Sequence, residues 1–156
     1  MTHQPVALRH RRGGALHVFL RRHAACTRVS ALSGARLPEC FVRIRAADLR
    51  DAQRQSARAR ADSGVDGCTV FVDVEVLVES DVRAALQAAE QLGQTSAAAV
   101  RYIGTPHGLA GYIADLHTTG IADGVTLIPL RAADSVQHII NDVLPMLGVD
   151  AARLSA

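Results

Sequence analysis

The strongest strand signal in the sequence is CTVFVDVEVLV, residues 68–78. Valine recurs there at every second position, which is the period of side chains along one face of a β-strand. The residues on that face are Val70, Val72, Val74, Val76 and Val78. The opposite face carries Phe71, Asp73, Glu75 and Leu77. We therefore predict a strand with one buried aliphatic face and one mixed face.

A helix is predicted directly after this strand, over SDVRAALQAAEQL, residues 80–92. Ser80 or Asp81 can cap its amino end, since either side chain accepts a hydrogen bond from a backbone N–H of the first turn. Gly93 would end the helix. The predicted apolar stripe consists of Val82, Ala85, Leu86, Ala89 and Leu92.

A second helix follows a short extended piece at residues 100–103. Thr105 is a good N-cap, and Pro106 suits the first helical position because its missing N–H would have no partner there. Gly120 would stop this helix. Its predicted inward side chains are Leu109, Tyr112, Ile113 and Leu116.

The remaining pattern predicts a strand and a closing helix. GVTLIPL, residues 124–130, is short and apolar. The closing helix would start at Asp134 or Ser135 and kink or restart at Pro145, because proline cannot donate the helical hydrogen bond. Its predicted inward side chains are Val136, Ile139, Ile140 and Val143.

Upstream, residues 45–61 are rich in helix formers, with acids first and arginines last, so we predict a surface helix. Residues 1–40 show no clear period; we predict a basic, poorly ordered segment with at most a short strand or helix around residues 16–20. Residues 41–156 are predicted to form the C-terminal portion of the chain, in which β-strands and α-helices alternate. The alternation of strands and helices predicts an α/β fold with few parallel strands.

Charge is distributed unevenly along the chain. Residues 1–60 contain 13 arginines and three acids, a net charge of +10, whereas residues 61–156 contain four arginines and 12 acids, a net charge of −8. Such a split can mark a nucleic-acid-binding arm. However, the basic residues are all arginine, which is typical of a GC-rich coding bias, and no helix-turn-helix spacing is present. Nucleic acid is therefore an unfavoured partner.

No apolar run is long enough to cross a membrane, and the three cysteines are irregularly spaced. These features predict a cytoplasmic protein with reduced thiols and no membrane partner.

Taken together, VFVDVEVLV (70–78), RYIGTPHGLAGYIADLHTTGIADGVTLIPL (101–130) and VLPMLG (143–148) resemble the C-terminal part of luciferase-like, flavin-dependent monooxygenases. The nearest branch is that of nitrilotriacetate monooxygenase. In that family Gly-Thr-Pro opens a helix, a Gly-x-Asp-Gly-type turn enters the last barrel strand, and Leu-Pro-x-Leu ends the closing helix. The likeness covers about residues 41–149.

The resemblance implies a partial TIM-barrel-like fold, oxidoreductase or monooxygenase chemistry, and FMN or a deazaflavin as cofactor. It covers only part of a (β/α)8 barrel, so we expect a truncated enzyme with little or no activity alone. The Arg-rich residues 1–40 match nothing in the family, and we expect a shifted reading frame or a new start. A non-catalytic fragment that covers its strand edges by homo-oligomerisation is the alternative.

Asp73 and Glu75 could act as a pair of carboxylates in acid–base chemistry. A solvated or ion-paired face, with Arg101 as partner, is the favoured interpretation. Arg131 follows the last predicted strand, and the barrel resemblance places it where loops often bind phosphate. It is the one predicted cofactor-binding residue, against the interpretation of an exposed loop arginine.

The sequence offers weaker support for a metal site, a catalytic nucleophile or a nucleic-acid contact. The residues His17, His23, Cys26 and Cys40 match no standard zinc spacing, so no metal site is predicted. No Ser or Cys lies in a nucleophile elbow, so no catalytic residue is assigned. The arginines that could contact nucleic-acid phosphates are Arg9, Arg11, Arg12, Arg21 and Arg22.

Overall fold

The structure of the protein is a computed structural model that describes residues 16–21, 29–31, 39–64, 67–93 and 99–148. The strands in this part are β1 (His17–Arg21), β2 (Val29–Ala31), β3 (Phe41–Ile44), β4 (Thr69–Val78), β5 (Val100–Gly104) and β6 (Gly124–Pro129). The helices are α1 (Leu49–Asp62), α2 (Val82–Leu92), α3 (Pro106–Thr118), α4 (Ala132–His138) and α5 (Leu144–Met146). A π-helical turn, Ile139–Val143, joins α4 to α5.

The six strands form one sheet in the order β2-β1-β6-β4-β3, and β5 also pairs with β4. Five strands are parallel, and only β2 runs antiparallel, beside β1. This confirms the predicted α/β class: a partial (β/α) fold with a parallel sheet flanked by helices. Consecutive strands of a closed barrel are neighbours, whereas β6 lies between β1 and β4, apart from β5. The sheet of the described residues is therefore open.

β4 is the central strand. One of its edges pairs with β6, and the other edge pairs with two short strands. β6 pairs with Phe71–Val76 on one side. On the other side β3 pairs with Thr69–Val72 and β5 with Val74–Val78, so β3 and β5 lie end to end. A right-handed crossover fixes the face of each helix. Because β3 and β5 lie on the same side of β4, α1 and α2 belong on opposite faces of the sheet.

The valine face of β4 is the main hydrophobic core, as predicted. It packs with side chains of α1, α3, the π-helical turn and α5. The α3 positions Leu109, Ile113 and Leu116 are buried as predicted, and Tyr112 is half-buried. The α2 side chains do not belong to this cluster, which agrees with the placement of α2 on the other face.

The second face of β4 holds an aromatic cluster. The strand register places Phe19 of β1 and Phe41 of β3 on the same face as Phe71. The Phe71 ring centroid lies 4.9 Å from that of Phe19 and 5.4 Å from that of Phe41. These three are the only phenylalanines in the sequence. Gly124 lies beneath the cluster, where an added Cβ would collide with His17 and the Phe71 ring.

Helix boundaries follow the predicted caps in most cases. Asp81 caps α2 by accepting the Ala84 N–H at 2.9 Å, and Thr105 caps α3. The break predicted at Pro145 appears as the π-helical turn Ile139–Val143, where the hydrogen-bond pattern widens before the proline. The closing helix starts at Ala132, slightly before the predicted Asp134 or Ser135.

The predicted stripe of α2 is wrong for two of its residues. Val82 is 59% exposed and Leu86 is 56% exposed, whereas Ala85 and Ala88 are buried. Small alanines let the helix backbone approach β4 and β5 closely, so the helix turns its larger apolar side chains outward.

Near the amino end, β1 occupies the place where a short strand or helix was predicted around residues 16–20. β2 and β3 are further strands that the sequence pattern did not predict, because each is too short to show alternation. Residues 1–15, 22–28 and 32–38 lie outside the described residues. None of the described helices combines the length and the apolar character needed to cross a bilayer.

Candidate functional site

A layer of ion pairs lies where β3 ends and β5 begins. Arg43 lies in β3, Arg45 follows it, and Arg101 lies in β5. All three reach the two acids on the second face of β4. Because β3 and β5 meet end to end beside Asp73, their arginines converge on one short part of the central strand.

Each carboxylate of this layer is bonded to a guanidinium group. The Arg43 Nε atom lies 2.5 Å from Asp73 Oδ1. Glu75 Oε2 accepts from Nε of Arg101 at 3.2 Å and from its terminal NH2 nitrogen at 2.8 Å, while Arg45 approaches Oε1 at 3.4 Å. Asp73 and Glu75 are both buried. The predicted pairing with Arg101 is confirmed, and the ion pairs fasten β3 and β5 to β4.

Loops at the carboxyl edge of the parallel strands are the usual place for ligand sites in α/β folds. At this edge β5 leads into α3 through Thr105, whose Oγ1 accepts the Gly108 N–H at 3.2 Å. The Tyr102 hydroxyl donates to the Thr105 carbonyl oxygen at 3.1 Å. An added Cβ at Gly104 or Gly108 would collide with this hydroxyl. The loop is therefore closely fitted around Tyr102.

The two tyrosines of this region are held in their neutral form. Burial raises the pKa of Tyr102, although its hydrogen bond to Thr105 opposes the shift. Burial alone raises the pKa of Tyr112 to about 12. Their rings lie 5.7 Å apart. Both side chains thus stabilise the entry to α3 as uncharged groups.

Ser135 makes a contact at this edge that the sequence did not predict. Its Oγ accepts the Val78 N–H at 3.1 Å and lies 3.4 Å from the Val78 carbonyl oxygen. The side chain is fully buried. The hydroxyl group therefore contacts the last backbone N–H and C=O groups of β4. In the sequence, Ser135 was marked only as a possible start of the closing helix.

Arg131 lies at the N-cap position of α4, directly after β6. Its side chain is exposed and makes no capping hydrogen bond. Within the described ranges it has no ion-pair partner. β4 separates β6 from β5, so Arg131 and Thr105 are two strand spacings apart, about 10 Å. Glu79 follows β4 and lies between them.

The opposite, amino edge of the sheet is organised by Asp123. Its Oδ2 accepts the Val70 N–H at 2.8 Å and lies 2.9 Å from a terminal nitrogen of Arg60. Arg60 also donates to the Gly120 carbonyl oxygen at 2.6 Å. These bonds join α1 to the turn that precedes β6. These bonds have a structural role, because the charged groups of Arg60 and Asp123 are both engaged in them.

Two histidines near this edge are unusual. The Nδ1 atoms of His17 and His117 are buried and have no hydrogen-bond partner among the described residues. Burial lowers the pKa of His17; the Asp123 charge raises it, and His117 lowers it. The sequence gave no indication of this pair, because the two residues are 100 positions apart and β1 was only weakly predicted.

The other predicted candidates are only partly described. No group of three potential metal ligands occurs among the described residues. His17 is buried and Cys40 is exposed, while His23 and Cys26 lie outside the described part. Of the five arginines considered for nucleic acid, only Arg21 is described. A scan against protein-family models finds no match, and no curated protein matches this sequence at a significant level.

Proposed function

We propose that this chain is a truncated luciferase-like, flavin-dependent monooxygenase or oxidoreductase that keeps the phosphate end of a flavin site. The cofactor would be FMN or a deazaflavin. A bound flavin would supply the redox chemistry, and the residues of this chain would bind its phosphate. No catalytic residue is assigned, and we expect little or no activity from the chain alone.

The positions of the three family-like motifs support this proposal. Gly104-Thr105-Pro106 opens α3, the turn at residues 120–124 enters β6, and Leu144–Leu147 closes the last helix. Each motif lies at the kind of element, a helix start, a strand start or a helix end, that the resemblance predicts for it. The motifs also lie on contiguous elements around β4.

The observation that carries the proposal is the exposed guanidinium of Arg131 at the carboxyl edge of the parallel sheet. A flavin phosphate is a dianion, and an arginine binds phosphate with two parallel N–H···O bonds. Arg131 therefore supplies the phosphate contact of the proposed site.

Glu79 opposes an anion at this edge, because its carboxylate follows β4 between Thr105 and Arg131. The acidic Asp134 also lies in the first turn of α4. A phosphate must therefore lie on the outer side of Arg131, away from Glu79. Binding should be weak, and it should strengthen when Glu79 is neutralised.

Isothermal titration of the full chain with FMN tests the proposal. We expect binding that weakens at least about tenfold in Arg131→Ala, because one charge-assisted phosphate contact is lost. Arg58→Ala is the control, since Arg58 is also an exposed arginine but lies on α1, where it pairs with Asp62. Glu79→Gln should bind FMN more tightly.

Riboflavin, which lacks the phosphate, should bind more weakly than FMN. Equal affinity for the two flavins, or an unchanged affinity in Arg131→Ala, contradicts the proposal. Oxygen uptake with reduced FMN should stay near the background rate, and a substantial uptake would show that the chain is a complete enzyme.

Nucleic-acid binding stays the unfavoured alternative that the sequence analysis gave it. The arginines that motivate it lie mostly outside the described residues, and Arg21 alone cannot define a phosphate-binding surface.

A further inference from the structure

Exposed apolar side chains collect at one margin of the sheet. Among the described residues, the large apolar side chains that are more than a third exposed are Phe41, Leu49, Val82, Leu86, Ile103 and Met146. Four of these six lie on β3, β5 and α2. β3 and β5 form one margin of the sheet, and α2 contacts β5. Single exposed apolar residues are normal on a protein, but a contiguous group marks an interaction surface.

The β5 strand at this margin has an open edge. Its described partner is β4, on one side only. The Gly104 carbonyl oxygen accepts the Glu79 N–H at 3.0 Å. Alternate residues of a strand direct their backbone groups to the same neighbour, so the N–H and C=O of Ile103 point away from β4. An exposed edge of this kind is a template for another strand.

The outer face of α2 carries one positive and one negative side chain beside its exposed apolar residues. Val82 and Leu86 are one helical turn apart, and both are exposed. Arg83 and Glu90 flank them, also exposed, and neither makes an ion pair within the described part of the chain. They are seven residues apart, about 10 Å along the helix, with Leu86 near the midpoint.

This spacing distinguishes between partners. If a second α2 lies antiparallel across a two-fold axis near Leu86, each Arg83 meets Glu90 of the second copy. Both ion pairs then form at once around a Leu86–Leu86 contact. A parallel arrangement would place like charges beside each other. The charge pattern therefore selects an identical, antiparallel helix.

We propose that the α2–β5 margin is the interface of a symmetric homodimer. The occupant is a second copy of this chain, with β5 antiparallel to β5 of the second copy and α2 packed against α2 of the second copy. One two-fold axis, perpendicular to the sheet, produces both contacts because α2 lies against β5. The dimer would have one continuous sheet, and Val82 and Leu86 would be buried. This interface is independent of the proposed flavin site.

Sedimentation equilibrium of the full chain tests the interface. We expect a dimer whose dissociation constant rises at least about tenfold in Leu86→Glu, because a buried central contact becomes two facing carboxylates. Met146→Glu is the matched control: Met146 is equally exposed, but it lies on α5. Circular dichroism should show that both variants are folded.

Charge exchange gives a second test that does not depend on an apolar substitution. Arg83→Glu and Glu90→Arg should each weaken the dimer, and the double variant should restore it because both ion pairs are rebuilt in reverse. A monomer at all concentrations overturns the proposal. An assembly that survives Leu86→Glu but dissociates in Met146→Glu also overturns it, as does a double variant no better than the single ones.

Discussion

The two faces of β4 are both buried, but they are packed by different kinds of side chain. The valine face packs against aliphatic side chains from several helices, and its residues need only a suitable volume and an apolar packing partner. The second face combines an aromatic cluster with ion pairs that each require a defined geometry. Stability on the first face depends on buried area, and on the second face on specific contacts.

Substitutions should be tolerated unequally on the two faces. An aliphatic core accepts changes that conserve volume, because dispersion and burial have no preferred direction. A buried carboxylate that binds a guanidinium loses much more when its charge is removed, because the guanidinium keeps its desolvation cost. The second face should therefore be the more sensitive one, although the valine face holds the main hydrophobic cluster.

The largest effect is expected at Gly124, on the second face. Gly124→Ala should lower the free energy of unfolding by about 3 kcal/mol, because the new Cβ collides with the backbone of His17 and the ring of Phe71. Gly111→Ala is the control: Gly111 lies inside α3, where an added Cβ would meet no atom of the other described elements within 4 Å. That change should stabilise the chain by about 0.5–1 kcal/mol.

Urea unfolding measures both glycine variants. The comparison of the two faces breaks if Gly124→Ala costs no more than about 1 kcal/mol, since the second face would then be loosely packed. A stabilised Gly111→Ala shows that the loss at Gly124 is steric and is not a general effect of replacing glycine.

A pair of nearly isosteric changes compares the faces directly. Glu75→Gln should cost about 2 kcal/mol, because the charge-assisted bonds to Arg101 and Arg45 become weaker. Leu127→Met, on the valine face, should cost less than about 1.5 kcal/mol because the volume is conserved. Equal costs in urea unfolding would show that both faces depend on volume alone.

The valine face and the second face also differ in what the sequence revealed. The period-two valines and the caps at Asp81 and Thr105 predicted most central elements, because these signals are local. The aromatic cluster joins Phe19, Phe41 and Phe71 from three distant strands, two of them too short to show a period. Local pattern therefore could not reveal it.

At the candidate sites the same limit applies. The position of Arg131 after the last strand was predictable from chain order alone, and so was the pairing of Glu75 with Arg101. The Ser135 contact with Val78, the open strand order and the outward turn of Val82 and Leu86 depend on tertiary packing. Helical period alone ranked the larger side chains of α2 as buried, whereas close approach to the sheet favoured the alanines.

The smallest effect concerns the pH dependence of the second face. Burial lowers the pKa of His17, and the neighbouring charges that act on it are Asp123, which raises the pKa, and His117, which lowers it. As the pH falls through about 6.5, His17 of the unfolded chain takes up a proton before that of the folded chain does. The unfolded state then binds more protons, so the free energy of unfolding decreases. Urea unfolding at pH 7.5 and pH 5.5 should show this decrease.

His17→Phe should reduce the decrease, because phenylalanine keeps the ring contacts with Phe19 and Phe71 but cannot be protonated. Gly111→Ala is the control, since it changes no titratable group and should keep the full decrease. If His17→Phe retains the full decrease between the two pH values, another group is responsible. The aromatic cluster would then be held by ring packing alone, and the second face would owe its pH sensitivity to residues outside it.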